Sequence, residues 1–171
     1  PSECRYVAWV DCDIVFTNPS WARETCSRLD SSTVVQLFET CNRLPSNFEI
    51  ASVCAPDMCS SFAHMVLENP AVLRTGQYHD HGHPGYAWAM RRELMDKHGL
   101  YEYAIAGSAD HYMAHAAVGD GLSPCIDRMM FGKEAALRCF AEWAEPFMQD
   151  AEGKLGVVPG TILHLWHGEL S

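Results

Sequence analysis

Two carboxylates one residue apart, Asp11 and Asp13, follow directly on the apolar segment Tyr6–Val10. Alternate residues of a strand share a face, so both carboxylates could reach one hard divalent cation, directly or through water. Open α/β sheets bind ligands beyond the carboxyl ends of their strands, which is where this pair lies. Two solvated acids in a turn are the alternative interpretation. The pattern favours a site for Mn²⁺ or Mg²⁺ that also holds phosphate oxygens.

Two imidazoles, His164 and His167, lie near the other end of the chain, at the end of an apolar segment. Imidazoles at a strand end can complete a metal site that carboxylates begin, and Mn²⁺ accepts such a mixture of ligands. A histidine in a strand is more often a structural residue, so this pair alone is a weak signal. We predict that these imidazoles and the acids near the beginning of the chain converge on one ion.

A third candidate is Asp110, which follows Gly107 and Ser108 in the first turn of a predicted helix. A carboxylate there is favoured by the helix dipole, which is the structural interpretation. The functional interpretation is a general base held against an acceptor hydroxyl. His111 and His115 follow four residues apart, but residue 112 is a tyrosine, so the zinc-protease motif HExxH is absent.

A fourth candidate is the segment 79–83, which contains three histidines, His79, His81 and His83, and one aspartate. It superficially resembles the HxHxDH motif of metallo-β-lactamase-like hydrolases, but the Asp-His pair of that motif is absent. The segment predicts, as an alternative, a zinc-dependent hydrolase built on these histidines and Asp110. An exposed polar loop is the structural interpretation.

The composition bounds the class of protein. The chain has 171 residues, which predicts a single domain over residues 1–171. Lys plus Arg number 12 and Asp plus Glu 22, and the resulting charge of −10 argues against nucleic acid and against a polybasic membrane patch. No apolar run approaches the roughly 20 residues of a transmembrane segment. Eight cysteines without a CxxC pair predict mostly reduced thiols and a cytoplasmic protein.

The elements that would position these residues alternate between strands and helices, which predicts an α/β fold. The apolar patterns predict strands over residues 6–10, 33–38 and 86–90 and a last strand within 156–168. Helices are expected over about 19–29, near 60–68, over 91–98, over about 109–118, and from about 136 until Pro146 breaks the pattern. The first helix should bury Ala22, Cys26 and Leu29, and residues 42–85 should be mostly loop.

The order of four segments resembles the C-terminal part of a GT-A glycosyltransferase, of the bacterial or phage family-2-like or galactosyltransferase-like type. The segments are VAWVDCDIVF at 7–16, HPGYAWAMRR at 83–92, AGSADH at 106–111 and ILHLWHG at 162–168. The resemblance spans nearly the whole chain. It implies a partial GT-A-like mixed sheet flanked by helices, and transfer of a sugar from a nucleotide-diphosphate donor to a glycan or other hydroxyl acceptor, with inversion.

The same resemblance implies roles for individual residues. Asp11 and Asp13 would hold Mn²⁺ or Mg²⁺ against the donor diphosphate, with His164 or His167 as a later metal ligand, and Asp110 would be the base. Trp88 would stack on a sugar ring. The full set of expected substrate contacts is Trp9, Gly85, Tyr86, Trp88, Gly107, Ser108, His111 and Trp166.

The chain departs from the family in two ways. GT-A domains place nucleotide-binding βαβ units before the carboxylate strand, so an N-terminal half of roughly 60–100 residues is expected to be missing. The basic stretch that follows the last His-Gly in the family is also absent. A non-catalytic sugar-binding module that retains Trp88 is therefore a further alternative.

Overall fold

The computed structural model describes residues 4–46, 57–75, 77, 79–105 and 107–168. The strands are β1 (Tyr6–Val10), β2 (Ile14–Phe16), β3 (Val34–Gln36), β4 (Thr40–Arg43), β5 (Asp57–Ser60), β6 (Ala87–Arg91), β7 (Leu155–Val157) and β8 (Thr161–His164). The helices are α1 (Trp21–Leu29), α2 (Phe62–Glu68), α3 (Arg92–His98), α4 (Ala109–Ala117), α5 (Pro124–Met129) and α6 (Glu134–Ala151), with a 3-10 helix at Pro70–Thr75.

The strands form two mixed sheets of four. The first has the order β1-β6-β3-β7 and the second the order β2-β8-β4-β5. The β3–β7 and β4–β8 pairs are parallel, and the other pairs are antiparallel. The expected α/β class, with mixed sheets flanked by helices, is confirmed. Among the described helices, none is both long enough and apolar enough to cross a bilayer.

The first sheet is apolar on both faces, because alternate residues of a strand point to opposite sides. Val34 of β3 and Trp88 and Met90 of β6 pack in one core cluster with helices α2 to α6. Their neighbours Val35 and Ala89 pack in a second cluster, together with residues of α1 and β8. The first sheet therefore lies between a helical layer and a layer that holds α1 and the second sheet.

Helix α1 begins later and buries a different face than the sequence pattern predicts. The side-chain oxygen of Asn18 accepts the N–H of Ser20 at 2.9 Å, and this turn delays the helix to Trp21. The buried residues of α1 are Thr25 and Leu29. The prediction that Cys26 lies on the apolar face is wrong, since its side chain is exposed.

Helix α6 continues through Pro146, so the predicted break at this residue is wrong. A proline inside a helix costs about 3 kcal/mol, because it removes a hydrogen bond to the carbonyl four residues earlier. Pro146 and Glu142, which carries that carbonyl, are both exposed to water, which can take the place of the missing N–H. The opposite face buries apolar side chains on both sides of the proline, including Phe140 and Phe147. Burial of these side chains outweighs the lost bond.

Two predicted strands differ in detail, and two strands were not predicted. Strand β1 has the predicted bounds, but it lies at the edge of its sheet and is only partly buried. The expected last strand is two strands, because residues 158–160 connect β7, which pairs with β3 in the first sheet, to β8, which pairs with β4 in the second. Strand β5 and the second half of β4 lie in the region predicted as loop, whose residues 47–56 are outside the described part.

Candidate functional site

Asp13, His164 and His167 come together where β2 and β8 pair. Ile14 lies opposite His164 in this antiparallel pair, and the N–H of Leu165 donates to the Asp13 carbonyl at 2.9 Å. The Oδ2 atom of Asp13 is 3.2 Å from Nε2 of His164 and 3.8 Å from Nε2 of His167. The structure thus brings residues from near both ends of the chain into one group, whose ligand atoms all lie within 4.8 Å of one another.

The group is open to solvent on one side. The side chains of Asp13 and His164 are 24% and 16% exposed, and that of His167 is 51% exposed. One carboxylate oxygen and two imidazole nitrogens suit a borderline divalent ion such as Mn²⁺. Three protein ligands with open positions are typical of a metal site that binds a substrate, whereas purely structural sites are closed. The geometry therefore allows a metal ion here to reach an external ligand.

Asp11 lies beside this group but outside it. Its N–H donates to the carbonyl of Tyr86 at 2.8 Å, which holds the end of β1 near β6. Burial raises the pKa of the Asp11 carboxyl, and the Asp13 carboxylate raises this pKa further, while His164 opposes both. Asp13 is thus the carboxylate that could bind an ion together with the imidazoles. Asp11 could reach such an ion only through water or by moving.

Asp110 lies in the first turn of α4, and its carboxylate lies next to Gly85, where the absence of a side chain leaves space for it. A Cβ atom on Gly85 would be 3.5 Å from Oδ2 of Asp110 and 3.0 Å from Cε1 of His83. Burial and the nearby Asp11 carboxylate raise the pKa of Asp110 to about 6. A carboxylate with a pKa close to neutrality is a stronger base than an ordinary aspartate and is still ionised at pH 7.

Tyr86 is held in a strained backbone conformation next to the site. Its φ of 80° is rare for an aromatic residue and costs on the order of 1–3 kcal/mol. The Tyr86 ring stacks on His83 with centroids 4.0 Å apart and lies 4.8 Å from the ring of His164. Its hydroxyl accepts a hydrogen bond from Nε of Arg43 at 2.9 Å. Because Tyr86 is buried, its ring packs against His164 and is not accessible to a substrate.

Arg43 is a site residue that the sequence interpretation missed. It lies opposite His164 in the parallel β4–β8 pair and forms an ion pair with Asp57 at 3.3 Å. Burial, together with the Arg43 charge, lowers the pKa of His83 to about 4, so this imidazole is neutral. A groove of about 320 Å³ begins at Arg43 and His83. No local pattern marked Arg43, because its strand is polar and was predicted as loop.

Trp88 cannot stack on a sugar in this structure, which corrects the expected role. Its side chain is 3% exposed, and its indole N–H donates to the carbonyl of Pro84 at 2.7 Å. Trp9 lies opposite it across the β1–β6 pair and is also partly buried. A cavity of about 10 Å³ is lined by both tryptophans and Asp110, which is room for about one water molecule. Trp88 is a core residue.

The other expected substrate contacts differ in exposure. Trp166 is exposed next to His167 and could meet a ligand of the group. Gly107 and Ser108 are exposed at the start of α4, both with positive φ, and Ala106 of the same motif lies outside the described residues. His111 is fully buried and belongs to a second group, with His81, His115 and Cys125. Its expected contact with substrate is therefore wrong.

The predicted zinc-hydrolase cluster is not assembled. His79 is exposed, His83 stacks on Tyr86, and His81 points into the second group. In the described part of the chain, neither group of possible metal ligands contains His79, His83 or Asp110. Residues 79–81 form a turn and a bend and Gly82 has a φ of 76°, so the segment lacks the regular extension that would place the three imidazoles on one face. The sequence interpretation noted the spacing of His111 and His115 but had no signal that linked them to Cys125.

Two groups of possible metal ligands thus lie in the described residues, one open and one buried. Two charged side chains lie near the open group. Asp11 interacts both with Asp13 of the group and with Asp110, the carboxylate whose pKa is raised. Tyr86 contacts both His164 of the group and the guanidinium of Arg43. Comparisons of the chain with models of protein families, with curated proteins and with solved structures find no match.

Proposed function

We propose that the protein is a metal-dependent glycosyltransferase that transfers a sugar from a nucleotide-diphosphate donor to a glycan or other hydroxyl acceptor, with inversion. The observation that carries this proposal is the convergence of Asp13, His164 and His167 at the ends of paired strands. The residues come from two of the segments on which the resemblance to GT-A enzymes rests. On this proposal the two mixed sheets are the C-terminal part of a GT-A-like domain.

The open group would hold Mn²⁺ or Mg²⁺ through Asp13, His164 and His167. The mixture of oxygen and nitrogen ligands favours Mn²⁺. When bound, such an ion neutralises charge that develops on the leaving diphosphate. Arg43 adds a positive charge on the same side, which matters in a chain with a net charge of −10. An anionic donor would otherwise be repelled.

Asp110 would accept the proton of the incoming hydroxyl. Its partial burial and its pKa of about 6 suit a general base, which typically contributes 10²–10⁴-fold to a rate. The absence of a side chain at Gly85 leaves space beside this carboxylate, because a methyl group there would lie 3.5 Å from Oδ2. A single base is sufficient for an inverting reaction. The exposed Trp166 is the aromatic side chain that could pack on the donor.

The alternatives have less support. The zinc-hydrolase hypothesis requires a cluster of ligands that do not lie together in the structure, and the sugar-binding module relied on Trp88, which is buried.

We further propose a cytoplasmic location. The described cysteines, all but Cys54, are free thiols, as expected in a reducing compartment.

Titration calorimetry with Mn²⁺, followed by uridine and guanosine diphosphates, tests the proposal on a version of the protein that includes the expected N-terminal nucleotide-binding half. We expect one Mn²⁺ per open site, at least 10-fold weaker binding in Asp13→Asn and His167→Ala, and nucleotide binding that requires the metal. Glu142→Gln, at an exposed position of α6, is the matched control and should bind like the wild type. Equal Mn²⁺ affinity in Asp13→Asn would refute the metal site. Metal binding without any nucleotide binding would refute the transferase.

A further inference from the structure

The second group of possible metal ligands is buried in the helical layer. It consists of His81, which precedes β6, His111 and His115 of α4, and Cys125 of α5. Residues four apart in a helix lie on one face, which brings the two α4 imidazoles together. Each of the four side chains is at least 99% buried. The four side chains meet at one point in the apolar core, where they contact one another and the Asp120 carboxylate.

Three of the six distances within the group are close to the edges of a tetrahedron around zinc. With zinc–nitrogen bonds of about 2.05 Å and zinc–sulfur bonds of about 2.3 Å, the edges are about 3.3–3.4 Å between nitrogens and about 3.5–3.6 Å between nitrogen and sulfur. Nε2 of His81 is 3.4 Å from Nε2 of His115 and 3.5 Å from Sγ of Cys125. Nε2 of His111 is 3.3 Å from the same sulfur. All four ligand atoms lie within 4.8 Å of one another, so small rotations of the side chains would bring them around one ion.

The hydrogen bonds behind the imidazoles determine which nitrogens face the centre. Nδ1 of His115 donates to the Asp120 carboxylate at 2.9 Å, and Nδ1 of His81 donates to the Gly82 carbonyl at 3.3 Å. With the N–H on Nδ1, both imidazoles turn Nε2 towards the centre of the group, where the two Nε2 atoms are 3.4 Å apart and Sγ of Cys125 is 3.5 Å from Nε2 of His81. Histidine ligands of zinc commonly donate their other N–H to a carboxylate or carbonyl in this way.

We propose that His81, His111 and His115 through Nε2 and Cys125 through Sγ bind one Zn²⁺ at a closed, structural site. Imidazole and thiolate ligands in a tetrahedron select zinc over Mg²⁺ or Ca²⁺. On binding, the Cys125 thiol loses its proton to solvent and the thiolate forms the bond to the metal. Three neutral imidazoles and one thiolate leave the site with a charge of +1, which the Asp120 carboxylate behind His115 balances.

A zinc ion at this site would connect two elements whose other residues lie near the open group. His81 belongs to the segment that continues through His83 to Tyr86, and Asp110 lies in the first turn of α4. Zinc would thus stabilise the fold and keep these elements in register. The proposal of this zinc site is independent of the proposed transferase function, because the site contains none of the residues Asp13, His164 or His167.

Metal analysis of the chain, purified without a metal-affinity tag, tests the proposal. We expect about one zinc per chain in the wild type and in the controls Cys26→Ser and Asp13→Asn, and less than about a tenth of this in Cys125→Ser. Removing zinc with a chelator should lower the Tm by about 10 °C, and adding it back should restore the Tm.

Cobalt provides a readout that needs no variant. The chelator-treated wild type should take up one Co²⁺ and show both the visible bands of a tetrahedral ion and a thiolate-to-cobalt charge-transfer band, together with release of about one proton. A protein without zinc whose Tm is indifferent to it, or a cobalt form without the thiolate band, would overturn the proposal. Full zinc content in Cys125→Ser would do the same. Loss of zinc in Asp13→Asn would mean that the metal occupies the open group instead.

Discussion

Replacing Gln36 with leucine should remove three hydrogen bonds, two that attach the segment before β6 to the first sheet and one that attaches the start of α2. The Gln36 side chain is fully buried. Its Oε1 accepts the N–H of Ala63 at 2.8 Å, and its Nε2 donates to the carbonyls of His83 at 2.9 Å and Gly85 at 3.3 Å. These bonds position the backbone on which Tyr86 and its neighbours depend.

The expected cost follows from what each partner loses. The two carbonyls keep a second hydrogen bond, from Phe62 and Ala87, so each loses only about 0.5–1.5 kcal/mol. The N–H of Ala63 is in the first turn of α2, where the helix provides no acceptor, and leaving it unpaired costs about 1–3 kcal/mol. The added apolar surface of leucine returns roughly 1 kcal/mol. The free energy of unfolding should therefore fall by about 3 kcal/mol, within a range of about 1–5 kcal/mol.

Urea unfolding followed by circular dichroism measures this loss. With a denaturant slope of about 2 kcal/mol per molar, the midpoint should fall by about 1–2 M with an unchanged slope. Gln149→Leu, at an exposed position of α6, is the control and should stay within about 0.5 kcal/mol of the wild type. A loss below about 1 kcal/mol for Gln36→Leu would refute the reasoning, because the three bonds would then have no structural role.

Three further changes test other features of the fold. Pro146→Ala should restore a hydrogen bond in the middle of α6 and raise the free energy of unfolding by about 1–3 kcal/mol, measured in urea; a destabilised variant would contradict the account of this helix. Gly85→Ala should lower it by about 1–3 kcal/mol, since the new Cβ would lie 3.0 Å from Cε1 of His83, and unchanged stability would show that the imidazole moves freely. The hydrogen bond from the Cys41 thiol lowers the pKa of Cys59. Iodoacetamide labelling of Cys59, followed by peptide mass spectrometry, should therefore reach half its maximal rate at a lower pH than labelling of the exposed cysteines, and equal midpoints would count against the thiol pair.

Local patterns in the sequence predicted most elements of the fold. The bounds of β1 and the end of α3 at Gly99 agree with the structure, because neighbouring residues decide them. The failures occur where packing competes with local preference. Pro146 did not end α6, since the buried face continues past it, and Cys26 did not enter the core, since α1 is rotated to bury Thr25.

Local sequence patterns identified only some of the residues of the candidate site. The pair Asp11 and Asp13 and the histidines His164 and His167 were recognisable from type, spacing and position at strand ends. Only the β2–β8 pairing shows that Asp13, and not Asp11, is the carboxylate next to both imidazoles. The burial of Trp88 likewise depends on which face of β6 the helices cover.

The sequence alone determined most segments of regular structure, the apolar character of the central strands of the first sheet, and the presence of carboxylates and imidazoles at the ends of apolar strands. These properties depend on residues within a few positions of one another. The tertiary structure decided which of these side chains meet. His81 and Cys125 approach the imidazoles of α4, and Arg43 approaches Tyr86, through packing between elements far apart in the chain. Such contacts follow from how the sheets and helices are stacked, which no short stretch of residues specifies.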